Sequence, residues 1–180
     1  MQKSLFPALA LILGFYALMA QDKRPMPAQA QRGHDLFVKY DKGIACGTCH
    51  ELDGAGTAVG PDLKTLGSAV GPHGLVMAMR MTMTAYVQEV KLADGSTFPG
   101  MLKQKQGDDM EIWDLSQNPP VLRKLTAKQV SSMTGNTKWK HPPASVEYDS
   151  KDLADIIGFI KWASTGSSKV IKTDDVEDAK

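Results

Sequence analysis

The hydrophobic and polar positions along the chain follow three patterns in succession. Residues 5–19 form an almost unbroken apolar run. Segment 33–40, G-H-D-L-F-V-K-Y, and segment 152–162, D-L-A-D-I-I-G-F-I-K-W, place apolar residues at helical spacing. Between these two segments, residues 86–125 alternate over short stretches, as strands do. The patterns therefore predict one helix early in the chain, one late helix, and strands between them.

Turn residues divide the middle segment into short strands. The alternating runs cover 86–92, 97–103, 110–115 and 121–125. Asp94-Gly95 is a strong hairpin-turn signal between the first two runs, and Gly107-Asp108 separates the next two. Four or five strands with turns at about ten-residue spacing predict a small antiparallel sheet or barrel at about 85–130. The expected fold class is α+β.

The N-terminal apolar run has the order of a secretory signal. Lys3 precedes the run, and Ala20 offers a small residue at the cleavage position. The run is shorter than the roughly 20 apolar residues that a membrane-spanning helix needs. We expect residues 1–20 to be removed and the protein to be periplasmic or otherwise secreted. It would meet the membrane only if the segment were retained as an anchor.

Composition limits the remaining possibilities. The 180 residues suit one domain, which we place at 31–165, and the 42% hydrophobic content is that of an ordinary soluble protein. Residues 21–30, rich in Pro and Gln, predict a disordered leader, and the charged segment 166–180 predicts a flexible tail. The formal net charge of +1, without a basic patch, argues against nucleic acid as a partner.

The chemistry is carried by C-G-T-C-H at residues 46–50. Two thiols three positions apart can add to the two vinyl groups of one porphyrin edge, and the next residue presents an imidazole to the iron. A thioredoxin-type redox pair would require a βαβ pattern, and a zinc site would require a second ligand pair, but the chain has only these two cysteines. The motif predicts one haem c attached to Cys46 and Cys49, with His50 as an iron ligand.

The order of motifs resembles the class I cytochrome c family. Gly33 and Phe37 match its Gly-x-x-x-Phe helix, and the G-P-D-L loop at 60–63 follows the haem motif. The resemblance implies that the first and last helices cross where Gly33 and Phe37 meet Phe159 or Trp162. It also implies that the Pro61 carbonyl accepts the second N–H of His50 and so orients that ligand.

The middle segment adds a second resemblance. Tyr86, Asp94-Gly95 and Gly100 fit the β segment of the haem-binding domain family of the Pirellula/Verrucomicrobium type. This resemblance implies a cytochrome c class I helical core with an inserted antiparallel sheet. The chain departs from that family where Met-Pro is expected before the last helix, because it reads W-K-H-P-P at 139–143.

The departure bears on the sixth iron ligand. His141 occupies the expected place, and the two following prolines fix the backbone after it. Met133 lies eight residues earlier and is the second candidate. The alternating methionines at 77, 79, 81 and 83 are further candidates, although their period of two fits core packing on a strand. An open iron site is the remaining alternative.

These features favour an electron carrier over an enzyme. A haem with both axial positions filled by protein has no site for a substrate, and its potential is set by ligands, burial and hydrogen bonds. The expected partners are redox proteins, namely a dehydrogenase, an oxidase or another cytochrome. The alternative is a haem-based sensor or small-molecule binding module with a displaceable sixth ligand. A peroxidase would need acid–base residues beside an open iron, which nothing in the sequence marks.

Overall fold

The computed structural model describes residues 24–81, 85–142 and 148–177. The predicted signal peptide, Met83 and Pro143 lie outside these residues. The described helices are α1 (Ala28–Val38), α2 (Leu63–Ala69), α3 (Pro72–Arg80), α4 (Ser150–Thr165) and α5 (Asp174–Glu177). A short hairpin is formed by β1 (Glu51–Leu52) and β2 (Ala55–Gly56). The later strands are β3 (Gln88–Leu92), β4 (Thr97–Gln106), β5 (Asp109–Asp114), β6 (Val121–Thr126) and β7 (Val130–Gly135).

The long helix α4 has clear start and stop signals. The side chain of Asp149 accepts a hydrogen bond from the Asp152 N–H and caps the first turn. Gly166 follows the last turn with φ 74°, in the left-handed conformation that ends many helices. The residues between them include eight consecutive buried positions at 153–160, so α4 lies at the centre of the core.

Helices α1 and α4 cross at Gly33. A Cβ at this position would collide with the Asp155 carbonyl and lie 2.9 Å from Cβ of Phe159. The ring of Phe37 meets that of Phe159 edge to face, with centroids 5.4 Å apart. The crossing implied by the resemblance is present, with Phe159 as its aromatic partner, and Trp162 stacks on Phe159 beyond it.

Helix α2 is fixed against α4 by a lysine. Nζ of Lys161 donates hydrogen bonds to the carbonyls of Gly67, at 2.7 Å, and Val70, at 3.1 Å. These carbonyls belong to the end of α2, where backbone acceptors lack helical partners. Asp62 caps the other end of the helix by accepting from the N–H groups of Lys64 and Thr65. Both ends of α2 are therefore held by side chains.

The five-stranded sheet is antiparallel throughout, in the order β6-β5-β4-β3-β7. Strands β6 and β7 form its edges, so it is an open sheet and not a barrel. The fifth strand extends the sheet to Gly135, beyond the predicted end at about 130. One face carries a small cluster of buried residues, the sheet cluster, made of Val90, Phe98, Met110 and Ile112. Helices together with an antiparallel sheet confirm the α+β class.

Both ends of the described chain are more ordered than the sequence predicted. Helix α1 begins at Ala28, and Ala30 is buried, so the predicted disordered leader is wrong at these positions. The flexible tail is also wrong for the described residues after 166. Ile171 and Val176 are buried in the core, and Gln29 forms two hydrogen bonds with the backbone of Ile171. The segment is therefore held by two buried apolar side chains together with the hydrogen bonds from Gln29.

Candidate functional site

A cavity of about 780 Å³ lies between the helices and the sheet. Its size is within the range of about 300–1,000 Å³ that small-molecule and cofactor sites occupy. Cys46, Cys49, His50, Pro61 and His141, all predicted as site residues, line it together. The remaining lining is mostly aliphatic and contains no Lys or Arg among the described residues. The cavity therefore suits a large apolar group with polar contacts at a few points.

The two cysteines lie on the cavity wall in a single turn. A 3-10 turn spans Cys46–Thr48, and Cys49 follows directly. The two residues are not joined by a disulfide. Burial raises the pKa of the Cys46 thiol to about 11, although a hydrogen bond with Tyr148 acts in the opposite direction. Burial also raises the pKa of Cys49. A catalytic redox pair differs from these two residues, because its reactive thiol has a lowered pKa.

His50 is oriented by the loop that follows it. Its Nδ1 donates to the carbonyl of Pro61 at 2.9 Å, so the hydrogen bond implied by the resemblance is present. This bond leaves Nε2 as the nitrogen available to a metal. Burial lowers the pKa of His50, although the Pro61 carbonyl acts to raise it. The ring is therefore held as the neutral imidazole, which is the form that ligates metals.

Gly60 provides the space for this ring. A Cβ at position 60 would lie 2.5 Å from Cε1 and 2.9 Å from Nδ1 of His50. Real side-chain carbons do not approach a ring this closely without a shift. The G-P pair therefore has two functions: the glycine admits the imidazole, and the proline supplies its acceptor.

His141 faces His50 from a loop without regular structure. Oδ1 of Asn136 accepts hydrogen bonds from the N–H groups of Lys138 and Trp139, at 2.9 and 2.8 Å, and so fixes the approach to His141. The Trp139 and His141 ring centroids are 6.4 Å apart. Burial lowers the pKa of His141, the neighbouring His50 lowers it further, and the backbone of Met79 acts to raise it.

The spacing of the two histidines fits one metal ion between them. Their ring centroids are 6.1 Å apart. An imidazole nitrogen binds a divalent first-row metal at about 2 Å, so two imidazoles on opposite sides of one ion have centroids about 6 Å apart. The cavity wall with two thiols, the apolar lining and the facing imidazoles fit a covalently attached haem.

The methionine candidates are distributed differently. Met133 lies in β7 and packs against the sheet cluster, away from the cavity. Met79 and Met81 line the cavity, whereas Met77 is exposed. The expected strand at these methionines is wrong, because residues 72–80 form α3 with Leu75 and Val76 buried. Pro72 at the first turn starts this helix, and the helical spacing of its apolar residues outweighs the period of two.

Several cavity residues were not found from the sequence. Met101 and Leu115 reach the cavity from the sheet, and Tyr148 reaches it from the start of α4. The Tyr148 ring stacks on that of Tyr40 with centroids 3.9 Å apart. No local signal marks Met101 or Leu115, because only the docking of the sheet shows which face meets the helices. Tyr148 had only a weak signal, as a large residue directly before Asp149, which caps α4.

The described residues lack two features that other classes of protein would show. None of the described helices combines the length and hydrophobicity required to cross a membrane. In the same ranges, no three His, Cys, Asp or Glu side chains come together as a metal site.

Comparison with known proteins agrees with the geometry. Residues 30–117 match the family model described as Cytochrome c. The matched segment contains the cysteine pair, His50 and Pro61, and it ends within the loop after β5. No curated protein matches the chain. The Cytochrome c family carries covalently attached haem c, and its members are typically electron carriers. The motif, the cavity and the family match together support a c-type cytochrome.

Proposed function

We propose that the protein is a monohaem c-type cytochrome that transfers electrons in the periplasm, with His50 and His141 as the axial ligands. The observation that carries the proposal is the pair of facing imidazoles, 6.1 Å apart, in a cavity whose wall holds both cysteines. Bound haem supplies a one-electron couple at its iron. Cys46 and Cys49 are the attachment points, since both thiols face the cavity and form no disulfide.

The chain's own residues set the conditions for electron transfer. Pro61 holds the His50 ring in one orientation and increases its basicity through the Nδ1 hydrogen bond. The aliphatic lining excludes water and lowers the local dielectric, which together with the axial ligands sets the redox potential. An imidazole in place of a thioether stabilises ferric iron. We therefore expect a lower potential than in Met-ligated relatives.

Electrons would leave where the cavity opens. Met81 and Tyr86 both line the cavity and are 63% and 62% exposed, so the cavity meets the surface beside them. A dehydrogenase, an oxidase or another cytochrome would dock there through a small, transient interface.

The sheet between α3 and α4 is then an insertion into a class I helical core. The mature chain would begin near Gln21, which N-terminal sequencing of the haem-loaded protein tests.

Two measurements on the matured protein test the proposal. Acid–acetone extraction should leave the haem on the chain, and release into the organic phase would contradict covalent attachment.

EPR and near-infrared spectra of the ferric protein should show low-spin iron without a sulfur-to-iron charge-transfer band. His141→Ala should convert the iron to high spin, and His141→Met should raise the midpoint potential. The control is His73→Ala, an exposed histidine at the start of α3. An unchanged spectrum in His141→Ala would exclude His141 as the ligand.

A further inference from the structure

The two proposed ligands differ in how their second ring nitrogen is held. Nδ1 of His50 donates to the Pro61 carbonyl at 2.9 Å. Nδ1 of His141 is buried and has no hydrogen-bond partner in the described part of the chain. The backbone of Met79 acts to raise the pKa of His141, but no acceptor in the described residues forms a hydrogen bond with its Nδ1.

This difference affects the strength of each ligand. A metal-bound histidine normally donates its other N–H to an acceptor, which fixes the ring and raises its basicity. Loss of such a partner typically reduces metal affinity by about 10- to 100-fold. Within the described residues, His50 has such an acceptor and His141 has none, so His141 should bind the same iron more weakly.

The backbone of His50 is also held at more points than the backbone of His141. The N–H of His50 donates to the Cys46 carbonyl at 2.9 Å, within the turn that carries the haem attachment points. Its ring lies against the backbone of Gly60. His141 lies in a segment without helix or strand, and the Asn136 side chain fixes the backbone only as far as Trp139. His50 is therefore anchored at several points, whereas the ring of His141 is held mainly by packing.

We propose that His141 is the exchangeable axial ligand, and that a small neutral ligand of the carbon monoxide type replaces it in the reduced protein. The exchange breaks the bond from iron to His141 Nε2 and forms one bond from iron to the incoming carbon, with no transfer of electrons or protons. The incoming ligand would occupy the side of the cavity lined by Met79 and Trp139. This inference rests on the proposed function, because it takes His50 and His141 as the axial pair.

Carbon monoxide added to the anaerobically reduced wild-type holoprotein tests the exchange. Binding should occur at a rate that saturates with carbon monoxide concentration, because dissociation of His141 comes first. In His141→Ala the rate should be about 10-fold faster or more and should not saturate, as expected when the weaker ligand is removed. His73→Ala should behave as wild type.

Two results would overturn the proposal. One is a reduced wild type that stays low-spin and forms no carbon monoxide complex, which needs no variant to observe. The other is a carbon monoxide binding rate that is equal in wild type and His141→Ala and saturates in neither, which would mean that dissociation of His141 does not precede binding. An incorrect axial pair can be distinguished from a failure of the exchange, because it would show before carbon monoxide is added. The ferric wild type would then be high-spin, or the spectrum of His141→Ala would match that of wild type.

Discussion

At the scale of single residues, the loop after the haem motif combines three functions in three consecutive positions. Gly60 leaves space for the His50 ring, and the Pro61 carbonyl accepts its N–H. Asp62 then caps α2 by accepting from Lys64 at 2.8 Å. Gly60 and Pro61 therefore act directly on the imidazole, whereas Asp62 acts on the helix that follows the loop.

A methyl group at Gly60 should therefore change the redox potential. Gly60→Ala would push the His50 ring away from the loop and weaken its hydrogen bond to Pro61. A less basic imidazole stabilises ferric iron less, so we expect the midpoint potential to rise by on the order of 60 mV, the equivalent of a tenfold change for a one-electron couple. A spectroelectrochemical titration measures this shift.

Gly135→Ala is the matched control, because a Cβ at position 135 meets no atom within 4 Å. It should leave the potential unchanged. Equal potentials for wild type and Gly60→Ala would show that the ring tolerates the methyl group.

The site residues that sequence reasoning found are those whose chemistry is local. Cys46, Cys49 and His50 must be close in sequence to reach one porphyrin edge, so their spacing alone identified them. His141 was found by its position before the last helix. Met101 and Leu115 contribute to the same cavity only through the docking of the sheet, which no local pattern encodes.

At the scale of elements, local periodicity predicted α1, α4 and the first four strands of the sheet, but not α2, α3 or the fifth strand. Segment 152–162 carries the helical pattern of α4, and the structure has this helix at Ser150–Thr165. Strand β7 was not located from the sequence, because V-S-S-M-T-G has only two large apolar residues. It is placed by backbone pairing with β3, in which Val90 opposes Met133. Pairing between distant segments is a tertiary property, so the sheet's fifth strand required the structure.

The crossing of α1 and α4 carries an ion pair with a predictable pH dependence. Arg32 donates two hydrogen bonds of 2.8 Å to the buried carboxylate of Asp155. Burial raises the pKa of Asp155, but the hydrogen bonds and charge of Arg32, with a contribution from Lys151, lower it by more. A lowered folded-state pKa contributes stability that is complete above the unfolded value of about 3.9. This contribution is lost as the pH falls through the folded-state pKa.

Replacing Arg32 should reveal this dependence of stability on pH. Arg32→Met should lower the denaturant midpoint at pH 7, and the difference from wild type should narrow as the pH falls below about 4. Urea unfolding at a series of pH values measures it. Lys39→Met is the control, because Lys39 and its partner Asp41 are both largely exposed. A constant difference at all pH values would show that Arg32 acts through packing alone.

At the scale of the whole molecule, the first and last of the described segments pack on the same core. Gln29 in α1 exchanges two hydrogen bonds with the backbone of Ile171, and Arg24 lies over the Trp162 ring at 5.7 Å. Ile171 is buried, whereas its neighbour Val170 is 64% exposed. The segment after α4 is therefore part of the folded domain, although its composition resembles that of a mobile tail.

Substitutions at Ile171 and at its neighbour Val170 measure how strongly the segment after α4 docks on the core. Ile171→Ala should reduce the free energy of unfolding by about 2–5 kcal/mol, the usual cost of truncating a buried aliphatic side chain. Val170→Ala should change it by less than about 0.5 kcal/mol, as exposed positions usually do. Denaturant unfolding of both holoproteins gives the comparison. Similar small losses in the two variants would mean that the segment does not dock in solution.

The sheet and the helices also form one cavity, and this gives the sheet a role in the redox chemistry. Met101 in β4 lines the cavity, whereas Leu102, the next residue, is 46% exposed and does not. An apolar wall disfavours the net positive charge of the ferric centre, and burial is one of the protein's means of setting the potential. Met101→Gln places a polar amide in this wall, so it should stabilise the ferric state and lower the midpoint potential. Leu102→Gln adds the same group one position along the strand and should leave the potential near its wild-type value. Equal midpoint potentials in the two variants would show that the sheet covers the site without setting its polarity. A lower midpoint potential in Met101→Gln alone would establish the sheet as a wall of the haem pocket.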